Sequence, residues 1–259
     1  METVRKHFLS DMGVMLGRSM RHITRSMDTI ITVTIVPIMM MLLFVYVYGG
    51  AIKASLGENV NYVNYMLPGV LLMAIASGIT YTAVRLFYDV QGGIFERFHS
   101  MPIARSSMLW GHVLTSMISN AISVVVIILV ALLIGFRPSA GVLSWLTVAG
   151  ILALFTLALT WVAVIPGLTA KSADGATAFA YPVIFLPFIS SAFSSTATMP
   201  AAVRAFAENQ PTSPIIETVR SLLNSEPIGN DIWVALAWCV GIMLVAYIFA
   251  IRAYKRKAA

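Results

Sequence analysis

Four histidines, His7, His22, His99 and His112, are the first places to look for chemistry in this chain of 259 residues. None occurs as H-E-x-x-H, and none stands beside a Cys or carboxylate at ligand spacing, so no metal site is expected. Each reads instead as an interfacial or solvated side chain. The nearest string to a phosphate loop, Gly167-Leu-Thr-Ala-Lys171-Ser172, lacks the glycine before lysine that lets backbone amides wrap a phosphate. The chain alone is therefore expected to hold no ATP and no other cofactor. Its one cysteine, Cys239, allows no intrachain disulfide and reads as a small packing residue within an apolar run. No paired carboxylates and no nucleophile with its base lie at a shared depth, which argues against an enzyme.

The ionisable residues Asp28, Arg85 and Asp89 stand at the edges of apolar runs rather than inside them. A charge at the centre of a membrane span costs about 2.5–3.5 kcal/mol on insertion scales, and proton-coupled transporters keep one as a working group. Without one, any energy for transport must come from elsewhere. Two connecting segments carry more information. In the first, Tyr88 to Met108, the pair Gly92-Gly93 permits a sharp turn. Ile94, Phe95, Phe98 and Met101 then recur at helical spacing around Glu96 and Arg97, and Pro102 ends the short helix. Such a helix suits either contact with a partner protein or a resting place at the interface. The second segment, residues 194–231, is too long for a bare loop in a compact membrane domain. Pro200 and Pro214 suit first helical positions, Ser213 suits a cap, and Val203, Phe206, Ile216, Val219 and Leu223 give two short helices an apolar face each. These helices re-enter the membrane or lie on its outer surface.

The elements that position these segments follow from composition. Hydrophobic residues make up 59% of the chain and charged residues 11%, with a mean hydropathy of +0.86, a balance that requires lipid as the main solvent. A hydrocarbon core of about 30 Å needs roughly 20 apolar residues in a helix. Six runs qualify: Ile30 to Tyr48, Met66 to Val84, Met108 to Ile134, Val142 to Val164, Phe179 to Phe193 and Ile232 to Ala250. The fifth is short and carries Pro182 and Pro187, and its start is placed as early as Ala176. Of the 17 Lys and Arg residues, all but Lys53, Arg137, Arg204 and Arg220 fall on one side of these spans. That side is cytoplasmic by the positive-inside bias, which puts both termini there. The first run ends in Tyr48-Gly49-Gly50 without a cleavage site and reads as a retained span.

Ahead of it, Val4, Phe8, Met12, Met15, Leu16, Ser19, Ile23 and Met27 recur at three- and four-residue steps, with basic residues mostly off that stripe. An amphipathic helix over residues 1–27, lying against anionic head groups of the membrane lipid, is expected before a six-span domain over residues 28–259. The net charge of +6 flanks hydrophobic runs and forms no cluster with interleaved aromatics, so nucleic acid is not an expected partner.

Gly93-Ile-Phe-Glu96-Arg97-Phe-His-Ser-Met101-Pro102-Ile, together with Met199-Pro200 and Phe206-Ala-Glu208-Asn209-Gln210-Pro211, resembles the membrane subunits of type-2 ABC exporters of the daunorubicin-resistance type. The resemblance spans nearly the whole chain. It implies an all-α polytopic fold of six transmembrane helices with an N-terminal interface helix, a cytoplasmic coupling helix in residues 88–107 and an outer re-entrant helix pair in residues 194–231. It also implies a multi-pass protein of the bacterial plasma membrane, with two copies of a nucleotide-binding ATPase subunit that holds ATP and Mg, and a second permease, identical or a sister. By the same resemblance Gly93, Glu96, Arg97, Met101 and Pro102 form the coupling contact, and Met199, Pro200, Asn209 and Pro211 the outer gate. Its cargo would be a hydrophobic or amphipathic drug, antibiotic or lipid; a polysaccharide or glycolipid cargo, or a non-transporting scaffold, is the alternative. Phe44, Tyr46, Tyr81, Phe185 and Phe188 suit either a lateral route for such a molecule or plain packing between helices.

The topology is directly testable. Green fluorescent protein fused after Ala259 should fluoresce, and alkaline phosphatase fused after Pro211 should be active; the reverse pattern would invert the assigned orientation.

Overall fold

The computed structural model describes residues 27–50, 52, 61–93 and 107–257. Except for Met27, the expected N-terminal interface helix lies outside the described residues. Helix α1, Met27–Leu42, contains Pro37 and continues as a π-helical turn, Leu43–Tyr48. It is followed by α2 (Tyr62–Gln91), α3 (Ser107–Ile134) and α4 (Val142–Thr169). Two six-residue helices, α5 (Ala173–Ala178) and α6 (Ala180–Phe185), lead into a 3-10 turn, Leu186–Ile189. A second such turn, Thr196–Thr198, precedes α7 (Ala201–Asn209), α8 (Thr212–Asn224) and the last helix, α9 (Asp231–Lys257). No strand occurs among the described residues.

Among the described residues four helices, over Tyr62–Gln91, Leu109–Ile134, Val142–Thr169 and Asp231–Arg256, are long and apolar enough to cross a membrane. The first expected span is helical through Tyr48 but changes hydrogen-bond pattern at Leu43. The fifth differs from expectation in both place and form. It begins at Ala173, where the Ser172 hydroxyl oxygen accepts from the Gly175 amide at 3.1 Å, and ends at Ile189 rather than Phe193. Pro182 and Pro187 lack the amide protons that would carry the ladder through, so the segment breaks into short pieces. Ser190 then takes an extended backbone, donates to the Pro187 carbonyl at 2.6 Å and accepts from the Ala192 amide at 3.1 Å.

Helix α2 is the hub. Every residue from Met66 to Ala76 is buried, three turns in succession, so every side of that stretch is covered. Around it pack α1, α3, α4, α8 and the broken segment. By contrast α3 and α9 keep apolar residues such as Leu133, Leu244, Val245 and Ile248 exposed, which suits contact with lipid. Between helices in lipid there is little hydrophobic drive, so close packing and hydrogen bonds must hold them. Both are present. A Cβ at Gly78 of α2 would collide with the side-chain oxygen of Asn120 of α3, and one at Gly69 with the Cβ of Ala192. Beside Gly78, the Thr82 hydroxyl donates to Ser116 at 2.8 Å, and Ser116 lies 3.3 Å from the Thr160 hydroxyl, joining α2, α3 and α4. Each such bond is worth about 0.6 kcal/mol in a membrane.

Asn120 is the residue that its type marks for an interhelical bond, yet its amide donates to Ser116 on its own helix, at 2.9 Å to the carbonyl. The bonds between helices are made by the smaller hydroxyls instead. At the other end, Trp161 is buried edge-on against Trp110 and Tyr247, with ring centroids 5.4 and 4.8 Å away. This second cluster binds α9 to α4.

Because the α2–α3 approach depends on a hydrogen atom at position 78, Gly78→Val should destabilise the protein by about 1–3 kcal/mol. The thermal midpoint of the detergent-solubilised chain should fall accordingly, whereas Gly150→Ala, which meets nothing within 4 Å, should leave it in place.

Candidate functional site

Charge bias assigns the ends carrying Asn61, Gly135 and Asn224 to the outside, and they are called the outer end here. Each of the four expected gate residues stands at a joint between short outer helices. Met199 closes the 3-10 turn, Pro200 precedes α7, Asn209 ends it with its amide on the Ala205 carbonyl at 2.8 Å, and Pro211 precedes α8. The two helices have different surroundings. On α8, Ile215, Ile216, Val219, Leu222 and Leu223 are buried in the core. On α7, Val203 and Phe206 are exposed, alongside the surface pair Arg204–Glu208 at 2.7 Å. Ser213 does not cap α8. Helix α8 already starts at Thr212, so the Ser213 hydroxyl faces back and donates to the Ala207 carbonyl, pinning α7 to α8.

Two residues not singled out by type or spacing complete this region. Gln210 is buried, and its amide nitrogen donates to the carbonyls of Leu186 at 3.0 Å and Ile189 at 2.8 Å. Those are carbonyls left without helical partners where the fifth segment ends. The Gln210 oxygen accepts from the Thr212 hydroxyl at 2.9 Å. Arg220, on the inner face of α8, is also buried. Its Nε donates to the Tyr65 carbonyl at 3.0 Å, Nη2 to the Ser191 carbonyl at 2.6 Å, and Nη1 pairs with Glu217 at 2.7 Å. The guanidinium also lies 3.8 Å from the centroid of the Tyr65 ring. One side chain thus joins α2, the broken segment and α8.

An asparagine pair extends the latch. Asn61 caps α2, accepting from the Val63 amide at 3.0 Å, and donates to the Gly135 carbonyl at 3.0 Å. Asn64 exchanges bonds with the Arg137 backbone at 2.8 and 3.0 Å and reaches Asn224 at 3.1 Å. Ser139 and Ser225 bridge the α3–α4 turn to the end of α8.

Of the aromatic residues proposed from type, three converge. Phe44 lies 6.4 Å from Phe188, and Phe188 lies 5.8 Å from Phe185, by ring centroid. Phe193, not proposed for this role, completes the cluster, stacked 4.6 Å from Phe44 and 5.2 Å from Phe188. The cluster sits between the π-helical turn and the broken segment, with Phe185 exposed at its edge. Tyr46 and Tyr81 are exposed and stand apart from it.

At the opposite end, α2 stops where Gly92 donates to the Tyr88 carbonyl at 2.8 Å and Gly93 adopts a φ of 68°, a left-handed turn that favours glycine. Of the expected coupling residues, Gly93 is placed; Glu96, Arg97, Met101 and Pro102 lie outside the described residues. The flanks of that connection are tied together. His112 of α3, buried rather than solvated, holds its Nε2 3.1 Å from the Asp89 carboxylate of α2. Among the described residues no group of His, Cys, Asp and Glu has the arrangement of a metal site.

Long apolar helices, a proline-broken segment and two short helices latched over one end make up the architecture of a polytopic membrane protein. Residues 11–224 match the family model of the ABC-2 type transporters, and the chain belongs to that family. It is 26% identical over 231 residues to the daunorubicin resistance ABC transporter permease protein DrrB1 of Streptomyces coeruleorubidus, covering 89% of this chain and 81% of that relative. It is 22% identical over 252 residues to the probable doxorubicin resistance ABC transporter permease protein DrrC of Mycobacterium tuberculosis, covering 96% and 90%. The chain is thus a type-2 ABC permease of the drug-resistance type, a multi-pass transport subunit.

Arg220→Ala removes one cation and leaves two carbonyls and a carboxylate without their donor, at a cost of about 3 kcal/mol. Arg220→Lys keeps the charge but not the three-way fork and should recover only part of that loss in a thermal or denaturant unfolding series.

Proposed function

We propose that this chain is the membrane-spanning part of an ATP-driven exporter that moves a hydrophobic or amphipathic drug, antibiotic or lipid out across the bacterial plasma membrane. Energy comes from ATP and Mg on two copies of a separate nucleotide-binding subunit, and a second permease, identical or a sister, completes the pore. Glu96, Arg97, Met101 and Pro102, following Gly93, form the contact with the ATPase, and both chain termini lie on that side. Met199, Pro200, Asn209 and Pro211 are the joints at which the outer helices move to release cargo.

One observation carries this reading. Helix α2 runs without interruption from the outer latch, where Tyr65 meets Arg220, to the turn at Gly93. A displacement applied at the coupling connection therefore reaches the gate through continuous helix rather than through a chain of loops. The cluster of Phe44, Phe185, Phe188 and Phe193 offers ring faces to an apolar or planar cargo entering sideways from the lipid. Tyr46 and Tyr81, which face outward, are not part of that route. Daunorubicin and doxorubicin, which appear in the names of the relatives, are amphipathic molecules of the class this route suits.

Everted vesicles holding this chain with its ATPase subunit should accumulate daunorubicin when ATP is added, and the purified chain alone should hydrolyse none. Glu96→Lys should lower ATP-driven uptake about fivefold or more, the range of a typical coupling energy, without displacing the ATPase from the complex. Uptake at the wild-type rate by the variant would remove Glu96 from the coupling contact. No ATP-dependent uptake by the wild type would remove this cargo class.

A further inference from the structure

At the end opposite the outer latch, an open groove of about 540 Å³ lies between α4 and α9. Ile165 and Leu168 of α4 and Phe249 of α9 supply apolar walls, while Arg252 and Arg256, one helical turn apart on α9, stand along it. Both arginines are exposed, and neither makes an ion pair with any other described residue. The one hydroxyl in the lining, Thr169, donates to the Ile165 carbonyl at 2.9 Å. The groove therefore presents hydrocarbon along its walls and two positive forks at its polar rim, and no carboxylate lines it.

The position restricts what fits. These are the final turns of two membrane-crossing helices, where long basic side chains reach the head-group layer while their stems stay against apolar surface. A soluble anion would use the guanidinium groups but leave the wall around Phe249 uncovered. A zwitterionic lipid would cover the wall but bring its own cation to the arginines. Guanidinium groups bind phosphate oxygens in paired hydrogen bonds, and basic grooves between helices at this depth favour anionic head groups. We propose that this groove holds an anionic phospholipid as a resident ligand, its phosphodiester on Arg252 and Arg256 and an acyl chain along Ile165, Leu168 and Phe249. The lipid is separate from the proposed cargo, because the groove shares no residue with the aromatic cluster of Phe44, Phe185, Phe188 and Phe193.

Native mass spectrometry of the complete, delipidated chain tests this, with phosphatidylglycerol and phosphatidylethanolamine of the same acyl chains as probes. The wild type should retain phosphatidylglycerol about tenfold better, and the Arg252→Gln/Arg256→Gln double variant should lose that preference. Lys255→Gln removes a charge outside the groove and should keep the preference, which separates a site from general attraction to the charged helix end. Equal retention of the two lipids by the wild type, or an undiminished preference in the double variant, would overturn the proposal. So would displacement of phosphatidylglycerol by inorganic phosphate alone, which would make the site one for a soluble anion. None of these outcomes bears on drug uptake, so the transport reading stands or falls separately.

Discussion

A guanidinium group is costly to take out of water unless its donors find acceptors, and a break in a helix inside an apolar body is costly unless its freed carbonyls find donors. In this permease the two requirements satisfy each other. The break after Ile189 frees carbonyls where no water is assured, and donors come to them from later in the chain, Gln210 from the joint between α7 and α8 and Arg220 from α8. Arg220 also holds the first turn of α2 through the Tyr65 carbonyl and ring. Remove that cation and three elements lose a common partner at once. The position of the short outer helices, and with them the proposed exit, rests on this exchange.

Elsewhere the body is held by different means. Along α2 the contacts are nearly charge-free and close, with glycine at two of the tightest points and hydroxyl groups bridging beside one of them. That combination suits a bundle whose neighbours are lipid, where apolar side chains gain little by leaving lipid for each other. Polar anchoring is concentrated at the two ends. At the end assigned to the outside stand the asparagine pair and Arg220; at the other stands the Asp89–His112 pair, which flanks the proposed coupling connection.

Much of this was legible in residue order. Runs of apolar residues give away α2, α3, α4 and α9 because each crossing needs about 20 of them in succession. Proline and glycine positions likewise marked the outer helices and the turn at Gly93. What escaped was whatever depends on partners distant in the chain. Arg220 meets a carbonyl 155 positions away, and within α8 it sits amid Ile216, Val219 and Leu223, so the one available signal was a cation on an otherwise apolar stripe. Gln210 carries no signal of its own, because nothing local shows which carbonyls it serves. The start of the fifth segment was missed because hydropathy does not register the Ser172 cap, and Ser213 looked like a cap because the true first turn begins a residue earlier. Aromatic type alone did not separate Phe44, Phe185 and Phe188, which meet, from Tyr46 and Tyr81, which do not. In a helix that is apolar all round, no period reveals the direction of burial.

Helix α2 is 30 residues long, with the Gly93 turn beyond one end and the Asn61 cap at the other. At 1.5 Å per residue it is a strut of about 45 Å. Pivoted near its foot, a strut of that length turns a tilt of about 5° into a sideways travel of about 4 Å at its head, most of an α-helical pitch. Under the proposed coupling, such travel exceeds the reach of a 3 Å hydrogen bond, and the Tyr65–Arg220 contact would then act as a mechanical fuse that either rides with α2 or parts. In the proposed exporter, leverage of this kind would let a small stroke on one side of a membrane decide between a closed and an open mouth on the other.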